Sequence, residues 1–257
     1  MPCRSAAPVA ADFLPSGTYV PSWHTIVFAM QTSYHKAVSN LDISTMTSML
    51  LDGYVVSLQI FAITLVGAIP LGVVVALGRL SRFRPLSWLV GLYISLMRGT
   101  PLMLQMFAVF FIPYYLFGQQ TGPDYMFVAV MIAFIVNYAA YFAEIYRSGI
   151  QSMPRGQYEA AQVLGYSKGQ TFFRIILPQV FKRILPAMGN EVVTLVKDTS
   201  LAFSIGVAEM FTTSRALVAS QRSMVPFAIA AAIYWVTCLV IEFIMRRIEK
   251  RMDYYHD

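Results

Sequence analysis

The sequence predicts an all-α, polytopic membrane protein with five transmembrane helices. Of its 257 residues, 57% are apolar and 12% charged, whereas soluble domains hold about 45–50% and about 25%. Charge-free windows at 53–78, 99–123 and 223–241 each supply the roughly 20 apolar residues needed to cross about 30 Å of hydrocarbon. The net charge of +6 sits in short basic clusters beside these windows rather than on a patch interleaved with aromatics, which argues against nucleic acid as a partner.

Residues 1–45 are rich in Pro, Ser and Ala, and the apolar piece from Ile26 to Met30 is too short to span, so this stretch is expected to be an extracytoplasmic tail. Residues 1–18 lack the apolar region of a signal peptide, and the first span, beginning near Leu51, is expected to serve as the insertion signal. Cys3 and Cys238 show no metal-ligand spacing, so no metal site is expected.

Spans are expected at about 50–79, 86–117, 125–149, 182–205 and 224–247, followed by a cytoplasmic C-terminal tail at 251–257. The fourth is interrupted by Lys182, Arg183, Glu191, Lys197 and Asp198, charges that a membrane tolerates when they face a bundle interior. An outside N-terminus puts Arg79, Arg82 and Arg84 in one cytoplasmic loop. Arg147, Arg155, Lys168, Arg174, Lys182 and Arg183 then fall in the next, and Arg246, Arg247, Lys250 and Arg251 at the end. That gathers 13 of the 19 basic residues on one face, so the positive-inside rule predicts N-out, C-in.

The second span is broken by Arg98-Gly99-Thr100-Pro101, where Pro101 removes a backbone donor and Gly99 weakens the helix; a kink is expected. Arg98 is read either as a gate on a pathway or as the partner of a carboxylate such as Glu144. In the third span Asn137, Tyr141, Glu144 and Ser148 recur at helical spacing, which predicts a polar face turned into the protein. Asn137 lies about 18 Å into the span at about 1.5 Å per residue, near midplane. It suits either a substrate's polar group or an interhelical hydrogen bond. Lys197-Asp198-Thr199-Ser200 is expected to break the fourth span and to cap a half-helix starting near Leu201. Lys197 and the freed N–H groups would take a carboxylate and Asp198 an ammonium; a structural Lys197–Asp198 ion pair is the alternative.

Between spans three and four, residues 156–178 are amphipathic and punctuated. Ala160, Ala161 and Leu164 share a face at helical spacing, Gly165 can end that helix, and Phe172, Phe173 and Ile176 begin a second stripe before Pro178. Glu159-Ala160-Ala161, three residues, Gly165, nine residues, Ile175, one residue, Leu177-Pro178 resembles the EAA loop of ABC importer permeases without a gap. Three further stretches resemble the permeases for polar amino acids: Arg98 to Leu102, Ala143 to Ile150 and Lys197 to Leu201, with Ser148 standing where that family often has Gly.

The resemblance implies a type I importer transmembrane domain over 46–250 whose coupling loop, 156–178, docks a separate ATPase through Glu159, Ala160, Ala161 and Gly165. It also implies a second permease subunit, an extracytoplasmic amino-acid-binding protein and a bacterial inner-membrane location. Asn137, Tyr141, Glu144, Lys197, Asp198 and Thr199 are then the expected substrate contacts, with Arg98, Gly99 and Pro101 gating or structural. The chain carries no GxxxxGK[ST] phosphate loop, so ATP and Mg are expected on the partner, and no nucleophile constellation points to an enzyme. A membrane scaffold recruiting a partner through the same loop is the second reading; a pure scaffold has little use for the intramembrane Asn137, Glu144, Lys197 and Asp198.

Overall fold

The structure, a computed structural model, describes residues 41–119 and 122–252. Most of the tail expected at 1–45, with Cys3, and the end of the one expected at 251–257 lie outside those residues. The described chain runs α1 (Ile43–Arg79), α2 (Arg84–Gly99), α3 (Leu102–Phe117), α4 (Pro123–Gln151) and α5 (Arg155–Val163). One turn at Lys168–Gln170 and a π-helical stretch at Thr171–Ile176 lead into α6 (Leu177–Asp198), a 3₁₀ segment (Thr199–Ile205), α7 (Met210–Gln221) and α8 (Val225–Arg251).

Helix α4 is the axis of the bundle. Ala129, Ala133, Ala139, Ala140 and Ala143 alternate with Phe134, Tyr138 and Phe142 around it, all buried. An all-round apolar helix of this kind belongs inside a bundle. Helix α1 carries buried small residues at helical spacing, of which Gly72 meets α4 while Gly53 and Ser57 meet the start of α7. The approach is close: a Cβ on Gly72 would stand 2.9 Å from the Cβ of Phe142. Small residues let transmembrane backbones come together where water supplies no driving force.

Among the described helices, α1, α4 and α8 are long and apolar enough to cross a membrane alone, and five spans result only if two bent pairs each count as one. The second expected span is more than kinked. α2 and α3 diverge by 110°, and each has 16 residues, about 24 Å long. Pro101 explains the elbow, since its ring excludes helical geometry at the preceding residue and Thr100 is extended at φ −123° and ψ 147°.

The break expected at 197–200 lies elsewhere. Thr199 keeps helical angles, and its hydroxyl donates back to the Val196 carbonyl at 2.7 Å. Ser200 does the same to Lys197 at 2.8 Å. Neither caps a half-helix, because a hydroxyl satisfied by the preceding turn leaves the helix free to continue. The chain turns instead at Gly206, whose φ of +89° is left-handed, and α7 leaves at 60°. Its N-cap is Glu209.

Candidate functional site

Among the described residues, most of the expected site residues fall in two places: a cluster where α2 meets α4, with the end of α6 beside α4, and the 156–178 loop. In the first, the Arg98 guanidinium lies 5.4 Å from the centre of the Tyr141 ring and 3.9 Å from a Glu144 carboxylate oxygen. Glu144 also accepts from Arg147 Nε at 2.9 Å and from a second nitrogen of the same guanidinium. One carboxylate thus serves two cations, bonding Arg147 directly and facing Arg98 at longer range, and the three groups keep a net charge of +1. The structural pairing of Arg98 with Glu144 describes this state.

The polar face of α4 grades from closed to open. Asn137 is 4% exposed, Tyr141 and Glu144 are half-buried, and Ser148 is exposed. Asn137 Nδ2 donates to the Met97 carbonyl at 3.1 Å and to Gln105 Oε1 at 2.9 Å. Its amide hydrogens are therefore spent on the α2–α3 elbow in this state, the interhelical alternative.

Lys197 and Asp198 do not act as a unit. Successive helical residues project about 100° apart, and here Asp198 turns to α4, where Tyr138 donates its hydroxyl at 2.7 Å. Lys197 turns to α8 and lines a groove of about 520 Å³ with Asn190, Thr194, Glu242, Arg246 and Glu249. No ion pair joins Lys197 to Asp198 among the described residues. Thr199 is buried. The expected substrate set therefore divides: Tyr141 and Glu144 lie with Arg98, Asp198 with Tyr138, Lys197 across α6, and Asn137 and Thr199 inside.

Three polar residues that the sequence reading passed over take prominent positions. Gln105 is the lone amide in the apolar run after Pro101, and it partners Asn137. Tyr138 was masked by its aromatic neighbours. Glu209 is 0% exposed and accepts from the backbone N–H groups of Phe211 and Thr212, both at 2.7 Å. An acid in an apolar stretch just before a new helix was the available signal.

The loop forms helix, turn and helix, as its spacing predicts. Gly165 has φ +80°, with Tyr166 N–H donating to Ala161 O and Gly165 N–H to Gln162 O, both at 3.0 Å. This is the Schellman end that a glycine enables. Ser167 then caps the next turn in a capping box with Gln170. Glu159, Ala160 and Gly165 are exposed, but Ala161 is only 2% exposed. The four residues do not share an outward face: Ala161 is buried against its own chain. Val163 at 88% and Leu164 at 74% exposure are instead the apolar side chains turned outward. The loop's ends are tied to the bundle, since Arg183 Nη1 donates to the Ser152 carbonyl at 2.6 Å.

Residues 68–254 match the family described as binding-protein-dependent transport system inner membrane component. The chain belongs to that family. Its members are transport components rather than enzymes, and the chain is accordingly a multi-pass inner-membrane transport subunit whose system includes a binding protein. It is 40% identical over 187 residues to the L-cystine transport system permease protein TcyB of Bacillus subtilis (strain 168), covering 72% of this chain and 78% of the relative. It is 36% identical over 217 residues to the arginine transport system permease protein ArtQ of the same organism, covering 83% and 98%. Among solved structures, an amino acid ABC transporter crystallised with histidines superposes with a TM-score of 0.74 at 30% identity, over 82% of this chain and 99% of the other. An inward-facing MetNI methionine ABC transporter aligns with a TM-score of 0.63 at 15% identity, over the same shares, which speaks to the fold alone. The family chain is thus a type I importer permease in architecture, as its EAA-like loop implies.

Proposed function

We propose that this chain is one permease subunit of an ATP-driven importer that carries a polar amino acid across the inner membrane, with its N-terminus outside and its C-terminus cytoplasmic. The observation that carries the reading is the loop at 156–178: a short helix held to the bundle by Ala161, ended by a left-handed Gly165, and presenting Glu159, Ala160, Val163 and Leu164 outward. Apolar side chains at such exposure, on a helix whose other outward residues are polar, suit a groove on a cytoplasmic partner better than water. That partner is an ATPase subunit, which holds ATP and Mg.

The transport reading follows from the connection between loop and bundle. α5 joins α4 to α6, so displacing it moves the elements that carry Tyr141, Glu144 and Asp198. A second permease subunit completes the pathway, and an extracytoplasmic protein delivers the amino acid. ATP binding and hydrolysis then shift the pair between outward and inward states by binding them with different affinity. The names of the cystine, arginine and glutamine permeases among its relatives support an amino acid as cargo. Uptake of radiolabelled L-arginine, L-glutamine and L-cystine into proteoliposomes, with ATP and the reconstituted ATPase and binding protein, tests the reading. Accumulation that needs ATP is expected; equal accumulation without it sinks the proposal.

A further inference from the structure

Proline leaves a debt at the elbow of α2 and α3. In a continuous helix the N–H of residue 101 would donate to the carbonyl of Met97, four residues earlier. Pro101 has no N–H, and in a bilayer a carbonyl left unpaired costs several kcal/mol. Two side-chain amides replace the missing donor. Gln105 Nε2 reaches Met97 O at 3.0 Å, and Asn137 Nδ2 reaches the same oxygen at 3.1 Å. Gln105 Nε2 also lies 3.1 Å from Thr100 O and 2.8 Å from Thr100 Oγ1, so its two hydrogens serve three acceptors. Its own carbonyl oxygen accepts the second hydrogen of Asn137 at 2.9 Å.

We infer that Gln105 is a positioning residue for translocation: with Asn137 it forms an amide latch that holds the α2–α3 elbow and, through the elbow, sets Arg98 over Tyr141 and Glu144. The inference rests on the importer reading above. Gln105 grips Met97 and Thr100, which bracket Arg98 and Gly99 in sequence. Thr100 also donates its hydroxyl to the Leu96 carbonyl at 2.8 Å, but the side of Gly99 is open, since a Cβ built there would meet no atom within 4 Å. The backbone at Gly99 is intrinsically permissive, so the latch restrains the root of Arg98 on the side that faces α3 and α4. Asn137 ties the same turn to α4, the helix that carries Tyr141 and Glu144 one and two turns further on. The distances from Arg98 to Tyr141 and Glu144 are thus set from both sides by one pair of amides.

The test uses the full reconstituted complex with the same three radiolabelled amino acids, and reads moles transported per mole of ATP hydrolysed. That ratio does not depend on how much permease folds. Gln105→Leu, which keeps the approximate volume and removes every donor, is expected to lower the ratio about tenfold, as lost alignment of a transition-state contact would. Two variants separate positioning from mere stability. The exchange Gln105→Asn with Asn137→Gln keeps an amide pair of the same summed length, and it is expected to recover most of the ratio that each single change loses. In an Arg98→Gln background, Gln105→Leu is expected to cost nothing further, because it acts through the residue already removed. A wild-type ratio in Gln105→Leu, or effects of Gln105 and Arg98 that multiply, overturns the latch while leaving the importer reading intact. ATP-independent accumulation in the wild type overturns the importer reading itself, and the inference with it.

Discussion

Tyr138 donates its hydroxyl to the Asp198 carboxylate across 2.7 Å, joining the central helix α4 to the end of α6. Asp198 is one of the few acids in the apolar bundle, and this hydroxyl donates to it from the neighbouring helix. Removing one partner of such a pair leaves the other unsatisfied, which costs about 1–3 kcal/mol, more for a charged group. Tyr138→Phe deletes a single oxygen and preserves the packing against Phe134 and Phe142. It is expected to lower the melting temperature of the detergent-solubilised permease and to reduce uptake. Asp198→Asn, which retains an acceptor for Tyr138, should be milder in melting than Tyr138→Phe. Identical melting of Tyr138→Phe and wild type would remove the structural weight placed on this bond.

At Gly165 the expected effect is conformational alone. The residue has φ +80°, and a Cβ there would meet nothing within 4 Å, so no clash confuses the outcome. The left-handed region costs an L-residue about 1–2 kcal/mol, less for Asn than for others and most for β-branched side chains. Gly165→Asn should therefore keep more uptake than Gly165→Ala, and Gly165→Val should keep least, while all three still insert and stay monodisperse in detergent. Uptake that does not follow this order would show that the turn's backbone is not what docking requires.

What the sequence revealed divides along physical lines. The spans at α1, α4 and α8, and the Gly165 turn, are written in local signals: unbroken apolar length, and a glycine at the end of a short helix. The position of the fourth helix's break was not. Thr199 and Ser200 look like caps, but their hydroxyls found the preceding turn first, and only the tertiary structure shows that Gly206 and Glu209 take the role. Asn137 was legible as a polar residue facing inward. Its partners were not, because Gln105 and Met97 come from another helix and only the α2–α3 elbow brings them there. Nor could spacing say that Ala161 faces home while Leu164 faces out, since both belong to one amphipathic stripe until the helix is docked.

The packing of α4 against α6 can be tested at Gly149. A Cβ on Gly149 would clash with Ile184 Cγ2 and stand 3.2 Å from Val180 Cγ1. Overpacking of this kind costs about 1–3 kcal/mol. Gly149→Ala is expected to lower the melting temperature, and Ile184→Ala introduced beside it should recover part of the loss, because it removes the atom that clashes. A double variant that melts lower than the sum of both single effects would mean that α4 and α6 are not in the contact described.

Glu209 supplies the last prediction. Its carboxylate is fully buried, yet each oxygen is occupied: Oε1 accepts from Thr212 N–H at 2.7 Å and Thr212 Oγ1 at 2.9 Å, and Oε2 from Phe211 N–H at 2.7 Å, with Ser57 and Tyr234 at longer range. The acid thus neutralises the positive end of α7 and ties it to α1 and α8 at once. A Gly53 Cβ would stand 2.9 Å from Met210 Cα, so α1 is pressed against this same turn. Glu209→Ala should therefore exceed the about 0.5–2 kcal/mol of an ordinary cap, since it takes the acceptor from two backbone donors and the contacts to Ser57 and Tyr234 from a buried site. Glu209→Gln keeps one good acceptor and places an amide nitrogen opposite a donor, so it should fall between wild type and Ala. Thermal unfolding of the three proteins in one detergent decides the matter: an Ala variant as stable as Gln would mean that α7 finds its cap elsewhere.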